Sequence, residues 1–110
     1  MKYLRLQFSD VLSFHVANEG VRGSRGKIYG AHKKLEGVVP GIPDILILHS
    51  PTLNGKTYNG VAIELKRQGG RISDSQKKVL TQFKDAGWYT SVIWSFEEFV
   101  DTVNYVFGYE

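Results

Sequence analysis

The chain has 110 residues, 42% hydrophobic and 23% charged, the composition of one globular domain (residues 1–110) with an ordinary core. It contains no cysteine, which excludes disulfides, thiolate zinc sites and a cysteine nucleophile; it also lacks an apolar run near the ~18 residues of a membrane span and any signal-peptide pattern, so a soluble cytoplasmic protein is expected. The net charge of +3 hides an asymmetry, because residues 1–84 hold all 14 Lys and Arg, whereas residues 85–110 hold five acids and no base.

In chain order, Tyr3 to Phe8 reads as the end of a short helix and Phe14 to Ala17 as a short strand. Asn18 to Gly26, with three glycines, Arg22 and Arg25, reads as a loop. Lys27 to Glu36 is a helix candidate with Ile28, Ala31 and Leu35 on one face and Gly37 as its stop. Five basic residues and no acid lie between Val21 and Leu35, which suits a polyanionic partner or an ordinary solvated surface. A glycine- and proline-rich approach, Val38 to Pro43, leads into the apolar strand Ile45 to Leu48. A polar connection containing Asn54-Gly55 follows.

The next strand, Val61 to Lys66, alternates. Val61, Ile63 and Leu65 share one face, and Gly60, Ala62, Glu64 and Lys66 share the other, where the small residues leave room for a helix or a ligand. Ser73 is an N-cap for a helix reaching about Asp85, and Tyr89 to Trp94 is a further strand. Ser95 with Glu98 has the capping-box pattern before a last helix, whose apolar stripe is Phe96, Phe99, Val100, Val103 and Phe107. The order implies an α/β fold with a mixed sheet.

One constellation carries chemistry. If the strands after Asp44 and before Lys66 pair antiparallel, Asp44, Glu64 and Lys66 meet at one end of the sheet. Two acids that close repel each other unless a cation joins them. Asp44, Glu64 and the Leu65 carbonyl are hard oxygen donors suited to Mg2+, with positions left for water and phosphate. Lys66, on the face of Glu64, could orient the attacking water, act as its base or balance negative charge. Glu-x-Lys alone is common, and Pro-Asp alone is a turn signal. Their conjunction across a hairpin is the informative feature.

Pro43-Asp44 … Glu64-Leu65-Lys66 resembles the PD-(D/E)XK nuclease signature. The wider set His15-Val16-Ala17-Asn18-Glu19-Gly20, Gly41-Ile42-Pro43-Asp44, Glu64-Leu65-Lys66-Arg67 and Ile72-Ser73-x-x-Gln76 is similar to the virus-type replication–repair nuclease (VRR-NUC) family, over about residues 12–107. The spacing matches small phage-encoded, stand-alone members. That resemblance implies a restriction-endonuclease-like core, a mixed β-sheet flanked by helices. It also implies Mg2+ or Mn2+ dependence and a homodimer that cuts branched DNA such as Holliday junctions, in the host cytoplasm if phage-encoded. Relatives carry a longer first helix with an acid that joins the metal site; this chain has no matching position, and Glu19 is the substitute candidate.

Gln76 lies at a capping-box position and also on the inward face of Gln76, Val79, Leu80 and Phe83, and the resemblance places a glutamine near the metal there. Arg22, Arg25, Lys27, Lys33 and Lys34 are the first candidates for DNA phosphate contacts, followed by Arg67 and Arg71. His15 is read as a packed or half-exposed strand residue, and His32 and His49 as surface residues. Trp88, Tyr89 and Trp94 are read as core or dimer-interface residues. Rival readings are a catalytically silent DNA-binding module of the same fold, and a flap-cutting or sequence-specific nuclease.

Overall fold

A computed structural model describes residues 3–4, 11–16 and 39–108. The elements in order are β1 (Ser13–His15), β2 (Ile45–Ile47), β3 (Thr52–Leu53), β4 (Lys56–Thr57), β5 (Val61–Leu65), α1 (Asp74–Asp85), β6 (Tyr89–Ile93) and α2 (Phe96–Phe107). Tyr3 and Leu4 are helical. The expected Asn18–Gly26 loop and Lys27–Glu36 helix lie outside the described residues, as do Glu19, Arg22, Arg25, Lys27, Lys33 and Lys34. Among the described residues no helix is long and apolar enough to cross a membrane.

The main sheet has the order β1-β2-β5-β6. Its first two pairings are antiparallel and β5 to β6 is parallel, so the sheet is mixed as expected. A parallel neighbour needs a crossover, and α1 supplies it. The polar connection after β2 is itself a small hairpin, β3 against β4, turning at Asn54-Gly55.

β5 lies inside the sheet, between β2 and β6. Val61, Ala62, Ile63 and Glu64 are all buried, and only Leu65 emerges. The odd-numbered face packs Val61 and Ile63 with Ile45, Ile47 and Ile93 against Phe99, Val103 and Val106 of α2. Burial of each such side chain is worth about 1.5–3 kcal/mol. The even-numbered face carries small residues because α1 and its exit cover it. Trp88 lies directly over Gly60, where a Cβ would fall 2.5 Å from its ring, and it meets Phe83 of α1 edge-on. Trp88 is thus a packing residue, as read from the sequence.

Several packing expectations change. Phe96 is 67% exposed at the rim of a cleft, and Val106 takes the core position beside Phe99 and Val103. Phe96 is the first residue of α2 and its ring meets Tyr3 edge-on, outside the main cluster. Trp94 is exposed, which removes the core alternative from its core-or-interface reading. His49 is half-buried, stacked on Phe107, with Nε2 3.1 Å from the Val106 carbonyl oxygen. His15 is exposed.

Candidate active site

The β2–β5 register pairs Ile45 with Ile63, which sets Asp44 next to Glu64 where the two strands end. Asp44 Oδ2 accepts a hydrogen bond from the Leu65 N–H at 2.8 Å, extending the pairing by one side chain. The N–H and C=O of one strand residue point the same way, so the Leu65 carbonyl lies on that side too.

Glu64 is the one charged side chain buried among the described residues, at 1% exposure. Its Oε1 accepts from Gln76 Nε2 at 3.0 Å, and Lys66 Nζ lies 3.9 Å from the same oxygen. Its Oε2 is buried with no hydrogen-bond partner among the described residues. Burial first, and then the nearby charge of Asp44, push the Glu64 carboxyl up to about 7, against the opposing pull of Lys66.

Gln76 is fixed by the start of α1. Ser73 caps the helix: its hydroxyl accepts from the Gln76 N–H at 3.2 Å, while Gln76 Oε1 accepts from the Ser73 N–H at 2.9 Å. The same Oε1 accepts from Lys66 Nζ at 2.7 Å. This bond is shorter than the Lys66–Glu64 approach and dominates the placement of the ammonium. Only one amide orientation gives the lysine and the backbone N–H an acceptor and the carboxylate a donor. The structural and site positions considered for Gln76 therefore coincide in one side chain.

The approach to β2 is locked to that same helix start. Gly41 has φ +85°, and a Cβ there would lie 2.6 Å from the Ser75 carbonyl oxygen and 2.9 Å from the Gln76 nitrogen. Glycine lets the backbone leading to Asp44 touch the backbone carrying Gln76.

Among the described residues no group of three or more His, Cys, Asp or Glu side chains is assembled for a metal. A soft or fully caged site is therefore not formed by them. Two carboxylates and a carbonyl are instead what a hard cation that retains waters requires, as magnesium does. The unpartnered Glu64 Oε2, facing a second acid, is the buried oxygen such an ion would satisfy. Asp44, Glu64 and the Leu65 carbonyl could hold it.

The described portion thus brings Asp44, Glu64, Lys66 and Gln76 together. Arg67 and Arg71 are exposed in the turn between β5 and α1, clear of this network. The contribution of Gly41 was not evident from sequence, because a glycine before Pro-Asp signals only a bend. On the α2 face, a mostly apolar cleft of about 410 Å³ is lined by Tyr3, Ile45, Leu65, Trp94, Phe96 and Phe99 among others. It adjoins the strand ends, but the carboxylates do not line it.

A mixed sheet, with helices on both faces and paired acids at the ends of adjoining strands, forms an α/β nuclease core of the restriction-endonuclease-like type. The VRR-NUC domain model matches residues 10–96, and the chain belongs to that family of nuclease-type domains. A solved structure described as a "VRR_NUC domain protein" is similar, with a TM-score of 0.70 at 18% identity, over 87% of this chain and 67% of that one. At that identity the likeness concerns the fold. No curated protein matches the sequence.

Proposed function

We propose that the chain is a Mg2+- or Mn2+-dependent endodeoxyribonuclease that hydrolyses phosphodiester bonds of branched DNA, such as Holliday junctions, as a homodimer. Glu64 is the observation that carries the hydrolytic part of this reading: a buried carboxylate beside Asp44, with one oxygen unpartnered. A silent binding module has no need of so costly a group. Family membership supports the branched substrate and the dimer, whose two-fold symmetry would present two sites to two strands.

When bound, the cation supplies Lewis acidity toward the phosphate and a more acidic water. Asp44 and Glu64 provide its oxygen ligands, with the Leu65 carbonyl as a third. Gln76 holds the Lys66 ammonium through Oε1, and the two remaining N–H groups of that ammonium can meet an incoming phosphate oxygen or its attacking water. Gln76 Nε2 orients Glu64 at the same time, so carboxylate and ammonium keep a fixed separation.

The test is cleavage of junction, flap and linear duplex DNA with Mg2+, Mn2+ or Ca2+. Asp44→Ala, Glu64→Gln and Lys66→Ala are each expected to lower cleavage at least ~100-fold while retaining DNA binding. Cleavage by Glu64→Gln at the parental rate would refute the metal assignment. Binding by the parent without nicks under any divalent ion would identify a silent module.

A further inference from the structure

We propose that an outer flank of α1, carrying Lys77 and Lys84, is the surface along which the DNA backbone leaves the active site, and that Arg67 and Arg71 form its near end. This inference rests on the nuclease reading and adds the path of the substrate. From Lys66 to Lys84 the chain has six basic residues against one acid, Asp74. The segment from Trp94 to Gly108 has Glu97, Glu98 and Asp101 and no base. Helices α1 and α2 cover opposite faces of the sheet, so the two sides of the molecule differ in sign. A polyanion meets favourable potential on the α1 side and unfavourable potential on the α2 side.

Geometry narrows the surface further. α1 is fixed inward by Gln76, Val79 and Leu80, with Val79 and Leu80 at 5% and 8% exposure. At 100° per residue, Lys77, Thr81 and Lys84 fall within about 60° of one another on the flank next to Leu80. All three are exposed, and neither lysine is ion-paired with a described carboxylate. Lys77 follows Gln76 directly, at the site end of the helix. Lys84 lies seven residues on, about 10 Å farther along the axis. Arg67 and Arg71 flank the exposed Gly69, and the Trp94 indole N–H, 3.5 Å from the Gly70 carbonyl oxygen, ties that turn to the end of β6. Arg67 and Arg71 thus lie in the turn directly after Lys66, and Lys77 and Lys84 lie on the helix that follows it.

The experiment measures binding of a labelled duplex of about 30 base pairs in the Glu64→Gln background, with Ca2+, across a salt series. Lys77→Glu/Lys84→Glu is expected to weaken binding tenfold or more and to flatten the logarithmic salt slope by about two. The neutral pair Lys77→Gln/Lys84→Gln should show a smaller loss of the same kind, and it serves if the reversed variant misfolds. Asp101→Lys, which adds charge on α2 outside the cleft at the strand ends, should leave affinity within about twofold, because it alters the other face of the sheet. Unchanged affinity in both Lys77/Lys84 variants overturns the proposal. So does a tenfold gain from the α2 variant, which would make net charge the cause. Cleavage by the parent protein with Mg2+ is assayed separately, so a wrong DNA path is distinguishable from a wrong activity.

Discussion

Gln76 accepts hydrogen bonds from Lys66 and from the Ser73 backbone, and donates one to Glu64. Its removal therefore has two separable consequences. Gln76→Ala should cost about 1–2 kcal/mol of stability through the lost capping box and the stranded carboxylate. It should also lower cleavage about 10- to 100-fold, because the ammonium loses its fixed position. Ser73→Ala removes only the cap hydroxyl. It should cost about 1 kcal/mol but leave cleavage near the parental rate. Denaturant titration and initial cleavage rates on both variants check this. Equal rate losses in the two would show that Gln76 acts only through helix stability.

Among the elements, the contact that fixes the site is the meeting of the β2 approach with the start of α1 at Gly41. Gly41→Ala combines a left-handed φ with a clash against the Ser75 carbonyl, neither of which a side-chain rotation can relieve. A loss of about 2 kcal/mol or more is expected in urea unfolding. Cleavage should fall as well, because Asp44 moves relative to Gln76; parental stability and rate would refute the locking role. Much of this level was legible in the sequence. Alternation in Val61–Leu65 and the Ser73 and Ser95 caps marked β5, α1 and α2 correctly, because they are local signals. The antiparallel meeting of Asp44 with Glu64 followed from hairpin geometry. Tertiary facts did not show: β6 pairs parallel beside β5, and Phe96 continues a helical stripe beyond the main cluster. In the second cap, Glu98 accepts from the Trp94 N–H, one residue before the N-cap, where the sequence pattern implies a bond to Ser95.

At the scale of the whole molecule, a buried acid sets a conflict between stability and function. The folded state holds the Glu64 proton to about 7, whereas the unfolded chain releases it near 4.5. Below that lower value both states are protonated and the favourable contribution is fully present. As pH rises toward 7 the folded state binds more protons than the unfolded, so stability falls, by up to about 3 kcal/mol. A cation that binds only the folded, ionised site reverses the loss. The most direct measurement is urea unfolding of the parent and Glu64→Gln proteins from pH 4.5 to 8, with and without Mn2+. Without metal, the parent should lose stability relative to Glu64→Gln as pH rises. At pH 8, Mn2+ at about 100 times its dissociation constant should restore nearly 3 kcal/mol to the parent and little to the variant. Parallel pH curves, or equal stabilisation of both proteins by Mn2+, would contradict a cation held by Glu64.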